Sequence, residues 1–211
     1  MSASIDAVLF DLGRVLVDWD PYRPYVGRYP RDEVDRFFAE IDFMAFNHLQ
    51  DAGRSWADAR TALARTHPQH VALLDVYIDH FAESVLGEMP DASAVVADVR
   101  AAGLRALGLT NWPAETFHVA MTKTDVVGRL EDVLVSGRER VAKPDPAVFA
   151  LAVERFGLDP ARTLFTDDGE RNVRAAAEAG FRTHLYEGPS GLRLRLRELG
   201  VAVPLGPEPP T

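Results

Sequence analysis

Five short stretches of the chain consist almost entirely of apolar residues, and each is too short for a typical helix. Continuous apolar runs of this length are typical of strands buried on both faces, as in a parallel sheet. The predicted strands are Ala7–Leu12, Leu104–Leu109, Val133–Ser136, Leu164–Thr166 and Phe181–Leu185. The pattern therefore predicts a parallel sheet at the centre of the molecule.

Helical patterns alternate with the later strands, and a glycine follows each of them. The predicted helices are Ala92–Ala102, Pro146–Phe156 and Arg171–Ala179, followed by Gly103, Gly157 and Gly180. Glycine is common directly after a helix because it adopts the left-handed conformation without strain. Alternating strands and helices favour an α/β fold with a doubly wound, mainly parallel, Rossmann-like sheet.

The stretch between the first and second strands breaks this alternation. It shows no convincing strand pattern and predicts helices at Asp32–Glu40, Ser55–Arg65 and His70–Leu86. Ser55 followed by Asp58 resembles a capping box, in which the acid reaches back to the cap. We therefore expect a helical cap domain (18–89) inserted into an α/β core domain (1–17 and 90–203), with a flexible proline-rich tail (204–211). A long helical crossover packed into a single body is the alternative.

Polar residues follow the predicted strands where those strands end. They are Asp11 after the first strand, Thr110 and Asn111 after the second, Lys143 soon after the third, and Asp167 and Asp168 after the fourth. Ligands of an open α/β sheet bind beyond the carboxyl ends of its strands, so we expect these side chains to meet. Each motif alone has a plainer interpretation, as a turn, a helix start or a solvated lysine. Their joint occurrence favours a functional site.

This set of residues suits phosphoryl chemistry. Several carboxylates at one place repel each other and need a cation, and their hard oxygens suit Mg²⁺. The metal ion and a lysine neutralise the charge of a phosphoryl group, while a hydroxyl and backbone amides orient its oxygens. A carboxylate that faces the phosphorus can act as a nucleophile through an aspartyl-phosphate.

Four motifs in order resemble those of the haloacid dehalogenase-like hydrolase superfamily. They are Val8-Leu-Phe-Asp11-Leu-Gly-Arg-Val-Leu-Val-Asp18, Leu109-Thr110-Asn111, Val141-Ala-Lys143-Pro-Asp-Pro, and Leu164-Phe-Thr-Asp167-Asp168-Gly. The resemblance covers essentially the whole chain, and the helical insertion lies where that family has its small cap. The opening motif looks most like the sugar-phosphate phosphatase branch.

The resemblance implies a role for each residue of the four motifs. Asp11 would be the nucleophile and a Mg²⁺ ligand, Asp168 the second carboxylate ligand, and Asp167 a ligand or its supporting neighbour. The backbone carbonyl of Gly13 would complete the metal ligands. Thr110 and the backbone amide of Asn111 would hold the phosphoryl oxygens, and Lys143 would stabilise their charge.

Gly13 departs from the pattern of this superfamily. Most of its phosphatases carry a second Asp at this position, which protonates the leaving oxygen and later activates water. A general acid/base of this kind contributes about 10²–10⁴-fold to the rate. Asp18 and Asp20 lie past the strand and are poor replacements. We therefore expect the rate to depend steeply on leaving-group basicity, unless a substrate hydroxyl or a cap residue supplies the proton.

Three functions remain open from the sequence. The first is a Mg²⁺-dependent phosphomonoester hydrolase of a small, sugar-like phosphate. The second is a 2-haloacid dehalogenase, which also lacks the second Asp but needs no metal and typically lacks the acidic pair. The third is a catalytically weak binding or regulatory protein of the same fold. The pair Asp167 and Asp168 favours the phosphatase.

The amino-acid composition excludes several classes of binding partner and functional site. The 211 residues are 47% hydrophobic and 26% charged, with a net charge of −9, which is typical of a soluble globular protein and argues against nucleic acid. There is no cysteine, which excludes disulfides, thiolate metal sites and cysteine nucleophiles. Without a signal-peptide pattern or a long apolar run, we expect a cytoplasmic protein with no membrane partner.

Trp19, Trp56 and Phe43 either line the cap–core cleft or belong to the cap core. The pattern indicates neither the substrate nor the oligomeric state.

Overall fold

The computed structural model describes residues 4–205 and contains a central parallel sheet. The strands are β1 (Ala7–Phe10), β2 (Val17–Trp19), β3 (Val85–Glu88), β4 (Arg105–Thr110), β5 (Val133–Val135), β6 (Thr163–Asp167) and β7 (Arg182–Leu185). Five of them form one sheet in the order β5-β4-β1-β6-β7, with every neighbouring pair parallel. All five strands predicted for this sheet are confirmed, with ends shifted by a residue or two.

The position of β1 explains why the polar motifs meet. This strand pairs with β4 on one side and β6 on the other, so that Phe10 lies beside both Gly108 and Thr166. The chain builds the sheet outwards from β1 in both directions, and the strand order reverses there. Ligands of doubly wound sheets bind at such a switch point, beyond the carboxyl ends of the strands.

Helices cover both faces of the sheet and form the insertion. They are α1 (Arg31–Ile41), α2 (Phe43–Asp51), α3 (Trp56–Thr66), α4 (Val71–Asp79), α5 (Phe81–Ser84), α6 (Ala92–Ala101), α7 (Phe117–Lys123), α8 (Val126–Arg129), α9 (Ser136–Glu139), α10 (Pro146–Phe156), α11 (Glu170–Glu178) and α12 (Pro189–Glu198). The predicted helices of the α/β core correspond to α6, α10 and α11. At α10, Ala147 N donates to the Asp145 side chain at 2.8 Å, and Gly157 ends the helix with φ 62°.

The insertion differs from the sequence prediction at both of its ends. β2 and β3 pair antiparallel in a separate two-stranded sheet, so the expectation of no strand between residues 18 and 89 is wrong. The predicted helix His70–Leu86 is interrupted at His80, between α4 and α5, and it is wrong at Val85 and Leu86, which belong to β3. Strands this short are stabilised by pairing with a distant segment, and a local pattern does not show that pairing.

The helices of the insertion are otherwise close to the prediction. α1 and α3 correspond to the predicted helices Asp32–Glu40 and Ser55–Arg65, whereas α2 was not predicted. Ser55 caps α3, because Asp58 N donates to Ser55 Oγ at 3.0 Å. The Asp58 carboxylate accepts from the Ser55 hydroxyl at 2.7 Å instead of reaching back to the backbone.

Two buried clusters hold the molecule together, one on each face of the sheet. One contains Leu9, Phe149 and Phe165, and the other joins β1 to the insertion through residues such as Phe10 and Tyr77. The division into core and cap domains stays a prediction, and its boundary at residues 17 and 18 falls inside β2. Residues 206–211 of the predicted tail lie outside the described residues, while 204 and 205 have no regular secondary structure. None of the helices between residues 4 and 205 combines the length and the apolar character of a membrane span.

Candidate active site

A buried lysine joins two carboxylates at the carboxyl end of the sheet. Lys143 Nζ donates to Asp11 Oδ1 at 2.8 Å and to Asp167 Oδ2 at 2.6 Å. Asp11 directly follows β1 and Asp167 ends β6, so the two adjacent strands bring the carboxylates side by side. Lys143 is 1% exposed, and Asp11 and Asp167 are 7% and 0% exposed. A charge group buried this deeply is stable only when its members pair with each other.

The side chain of Asn111 fixes the backbone at Lys143. Asn111 Nδ2 donates to the Lys143 carbonyl at 2.8 Å, and Lys143 N donates to Asn111 Oδ1, also at 2.8 Å. This pair of hydrogen bonds ties the end of β4 to the loop between α9 and α10. Asn111 therefore positions Lys143 through its side chain, a role that its place in the second motif did not indicate.

Three carboxylates gather around this lysine. Oxygens of Asp11, Asp167 and Asp168 lie within 4.8 Å of one another. Both oxygens of Asp167 already accept hydrogen bonds, from Lys143 on one side and from Gly169 N (2.8 Å) and Asn172 Nδ2 (2.9 Å) on the other. Asp168 is exposed, and it lines the same cavity as Asp11. Within the described residues this cluster fits a hard divalent cation, with Asp11 and Asp168 as the freer oxygen donors.

The pKa values record a surplus of negative charge. Burial raises the pKa of Asp11 to about 7; the charges of Asp167 and Asp168 add to this rise, while Lys143 opposes it. The pKa of Asp168 is also raised, by partial loss of solvent around its carboxyl group in the cavity and then by the charge of Asp167. Burial lowers the pKa of Lys143, but Asp11 and Asp167 outweigh it, so this pKa lies above its usual value. One ammonium does not balance three carboxylates, and a bound cation would relieve the excess.

Thr110 is fully buried at the end of β4. Its hydroxyl has no hydrogen-bond partner among the described residues, and the residue is 0% exposed. An unpartnered buried hydroxyl costs about 1–3 kcal/mol, so its retention calls for an explanation. The residue does not line the cavity described next, although its neighbour Asn111 does.

A cavity of about 530 Å³ lies over Asp11 and Lys143. Its volume is within the range of small-molecule sites. The lining residues are Asp11, Gly13, Arg14, Trp19, Asp42, Met44, Ala45, Asn47, His48, Asp51, Tyr77, Phe81, Asn111, Trp112, Pro113, Lys143, Asp168, Arg171 and Asn172. Of the three aromatic residues considered from sequence, Trp19 lines this cavity. Trp56 and Phe43 belong to the buried core.

Sequence reasoning missed the part of the site that the insertion supplies. Asn47, His48 and Asp51 reach the cavity from α2, and no local pattern marks them. Arg14 and Arg171 add positive charge to its lining. Only a long-range fold that lays α2 over the sheet brings these side chains to Asp11. That arrangement is not encoded in any short stretch.

The two acids considered as replacements for the missing one lie elsewhere. Asp18 belongs to β2, where it pairs with Gly87. Asp20 accepts a hydrogen bond from Tyr22 N at 2.9 Å. Neither lines the cavity that contains Asp11, which agrees with the expectation that they replace the acid poorly.

Comparison with known proteins decides the family. A family model described as "haloacid dehalogenase-like hydrolase" matches residues 5–180. The chain belongs to this family. It is therefore a hydrolase of the haloacid dehalogenase-like type, and the family predicted from the four motifs is confirmed.

Curated relatives include phosphatases. The chain is 25% identical over 183 residues to N-acetylmuramic acid 6-phosphate phosphatase of Pseudomonas aeruginosa, which covers 85% of this chain and 80% of that protein. It is 30% identical over 110 residues to acyl-CoA dehydrogenase family member 10 of Mus musculus, which covers 51% of this chain. The chain spans only 10% of the length of that second protein.

Solved structures share the fold. A magnesium complex of a family enzyme from Bacteroides thetaiotaomicron has a TM-score of 0.69 and 21% identity, covering 87% of this chain and 94% of that one. L-2-haloacid dehalogenase of Xanthobacter autotrophicus has a TM-score of 0.64 and 21% identity, covering 94% and 84%. Both structures thus share the backbone fold of this chain.

Proposed function

We propose that the protein is a Mg²⁺-dependent phosphomonoester hydrolase that acts on a small, sugar-like phosphate through an aspartyl-phosphate at Asp11. The observation that carries the proposal is the cluster of Asp11, Asp167 and Asp168 around Lys143. Asp11, Asp168 and Lys143 line a cavity of small-molecule size. Phosphatases among the relatives support it.

The three carboxylates would have different roles in metal binding and in nucleophilic attack. Asp11, Asp168 and the backbone carbonyl of Gly13 would hold Mg²⁺, while Asp167 supports the cluster through its bonds to Lys143 and Asn172. The ion supplies charge neutralisation for the phosphoryl group when it is bound. Lys143 opposes the rise in the pKa of Asp11 and so favours the ionised form, which is the form that attacks phosphorus.

The phosphoryl oxygens would be held at the end of β4. Thr110 offers a buried hydroxyl that no group in the described part of the chain satisfies, and the backbone amide of Asn111 follows it in the chain. Lys143 adds an ammonium whose position the side chain of Asn111 fixes. Donors arranged in advance of the reaction stabilise developing charge more than mobile water does.

The cavity supports a small polyol as the organic part of the substrate. Trp19, Tyr77, Phe81 and Trp112 give it aromatic walls. Trp112 Nε1 is buried without a hydrogen-bond partner among residues 4–205, so a donor is available to a substrate hydroxyl. Arg14 and Arg171 add positive charge suited to a phosphate dianion. These features fit a sugar-like phosphate better than a bulky or apolar one.

Dehalogenation is the second candidate, because haloacid dehalogenases are among the relatives and Gly13 replaces the usual acid. The acidic cluster opposes it. A dehalogenase binds an anionic haloacid without a metal ion, and three carboxylates that share one ammonium would repel that substrate. Three carboxylates within 4.8 Å of one another instead match a site that holds a divalent cation.

One set of assays separates these functions. Phosphate release from p-nitrophenyl phosphate and a panel of sugar phosphates is measured with Mg²⁺ and with EDTA, and chloride release from 2-chloropropionate is measured in parallel. We expect phosphate release that requires Mg²⁺ and is lost in Asp11→Asn. The matched control Asp79→Asn changes an exposed cap carboxylate outside the cavity and should keep the rate. Chloride release that is unaffected by EDTA would establish the dehalogenase. If neither phosphate nor chloride is released, a binding protein is the remaining function.

A further inference from the structure

Asp51 adds a further carboxylate to the cavity, from the insertion and not from the ends of the strands. It is the last residue of α2, is 8% exposed, and lines the same cavity as Asp11 and Lys143. The metal cluster contains Asp11, Asp167 and Asp168 but not Asp51. The inference below rests on the proposed function, and it concerns what this extra carboxylate does there.

The carboxylate of Asp51 is poorly satisfied by the protein itself. No ion pair involves it within residues 4–205, and its side-chain partner is Asn47 Nδ2, which lies 3.4 Å from both oxygens. Arg54, the nearest cation along the chain, donates instead to the Gln50 side chain and the Phe46 carbonyl. A buried acid without a cation is costly as a structural element, so its retention points to a ligand.

The turn after Asp51 fixes its position relative to the catalytic loop. Gly53 has φ +97°, and a Cβ at this residue would lie 2.8 Å from Arg140 Cγ. Only glycine allows this backbone conformation and this close approach without strain. Because Arg140 precedes Lys143 by three residues, the end of α2 is packed onto the segment that carries the catalytic lysine.

We propose that Asp51 is the general acid and base of the reaction and takes the place of the carboxylate missing at Gly13. It reaches the leaving oxygen from the cap side of the cavity, while Asp11 attacks from the sheet side. The proton donor then comes from the insertion and not from the first motif. A substrate bound between the sheet and the insertion would contact both the nucleophile and the proton donor.

The two steps balance in protons and electrons. In the first, an Asp11 oxygen bonds to phosphorus, the bond from phosphorus to the ester oxygen breaks, and that oxygen keeps the electron pair and takes the proton of Asp51. The alcohol leaves, and Asp51 is ionised. In the second, Asp51 takes a proton from water, the resulting hydroxide bonds to phosphorus, and the phosphorus–Asp11 bond breaks. Hydrogen phosphate leaves, Asp11 is again ionised, and Asp51 is again protonated.

The protonation behaviour of Asp51 supports this geometry. Burial raises its pKa to about 7, and the charge of Asp11 adds to the rise, while Lys143 and Asn47 oppose it. A group that alternates between acid and base works best when its pKa lies near the working pH. Asp42, another acid of the cavity lining, is exposed and caps α2 through Ala45 N, so it is less suited to this role.

The test is the dependence of aspartyl-phosphate formation on leaving-group basicity, measured by rapid quench with Mg²⁺. We expect wild type to show a shallow dependence. Asp51→Asn should lose about 10²–10⁴-fold on alkyl phosphates, whose leaving oxygen needs the proton. On p-nitrophenyl phosphate, whose leaving group departs as an anion, it should lose less than about tenfold. Asp79→Asn, an exposed cap carboxylate, is the matched control and should behave as wild type.

Two results overturn the assignment. One is an equal loss on alkyl and aryl phosphates in Asp51→Asn, which is the mark of a structural role. The other is a steep dependence in wild type itself, which decides the question even if the variant does not fold. Both leave phosphatase activity in wild type and so differ from failure of the proposed function. A wild-type protein that releases no phosphate from any monoester contradicts that function, and this assignment with it.

Discussion

Replacing Lys143 with methionine removes the only ammonium that the described structure places among the catalytic carboxylates. The side chain is 1% exposed and donates to Asp11 and Asp167 at 2.8 and 2.6 Å. Methionine is unbranched and of similar length, so it fills the space of the lysine without its charge. The change therefore tests the ion pairs and not the packing.

The expected loss follows from the burial of the two carboxylates. Breaking a buried ion pair by removing one partner costs about 3–5 kcal/mol of the free energy of unfolding, because a buried charge is left without compensation. Without Lys143, the pKa of Asp11 rises further above its ordinary value, since the group that lowered it is gone. An acid with a raised pKa in the folded state binds protons more tightly than the unfolded chain does, so protonation stabilises the fold. The deficit should be largest near pH 8 and shrink as the pH falls towards 5.

The assay is urea unfolding followed by tryptophan fluorescence in EDTA, at pH 8 and at pH 5.5. The sequence provides a matched control, because its other lysine, Lys123, is exposed at the end of α7. Lys123→Met should change the free energy of unfolding by less than about 0.5 kcal/mol. If Lys143→Met is as stable as this control at pH 8, the lysine is not buried between the carboxylates, and the described site is wrong.

Three further predictions concern the hydroxyl at the sheet edge and the acid of the cap. Thr110→Val should raise the free energy of unfolding by about 1–2 kcal/mol, because it removes a buried hydroxyl that has no partner among residues 4–205, while the rate of phosphate release should fall at least tenfold. Thr166→Val removes another such hydroxyl and should also raise the free energy of unfolding, but with a smaller loss of rate. Equal rates in the two variants would contradict a role for Thr110. As the pH rises from 5 to 8, the free energy of unfolding of wild type should fall by about 2–3 kcal/mol more than that of Asp51→Asn, because a folded pKa of about 7 makes ionisation of Asp51 destabilising from about pH 4 upwards. Equal pH profiles in urea unfolding would show that Asp51 titrates normally. Adding Gly13→Asp to Asp51→Asn should restore part of the rate on alkyl phosphates, because a Cβ at Gly13 meets no atom within 4 Å and an acid there has room. Rapid quench of the double variant measures this rate, and a rate restored on aryl phosphates alone would contradict the explanation.

The central sheet could be predicted because its information is local. Strands buried on both faces need continuous apolar residues, and the runs that contain β1, β4 and β6 are of this kind. The rule that ligands meet beyond the carboxyl ends then places Asp11, Asp167 and Lys143 together without any knowledge of packing. The hydrogen bonds among those three residues agree with that expectation.

The cap side of the site could not be predicted in the same way. Asp51 ends a helix whose sequence, Phe-Met-Ala-Phe-Asn-His-Leu-Gln-Asp, shows no sign of facing a cavity. Its position depends on β2 pairing with β3 and on Gly53 packing against Arg140, and both contacts join segments far apart in the chain. The side-chain role of Asn111 was missed for a related reason, because its partner is the backbone of a distant loop. Long-range contacts of this kind leave no local trace.

The covalent intermediate at Asp11 offers the most direct test of the proposed function. The protein is mixed with a phosphate monoester and Mg²⁺, quenched within milliseconds in acid, and reduced with borohydride, which converts an aspartyl-phosphate into homoserine that mass spectrometry can locate. The account predicts homoserine at position 11 in wild type and none in Asp11→Asn. Phosphate release without homoserine at position 11, or with homoserine at another aspartate, would contradict it.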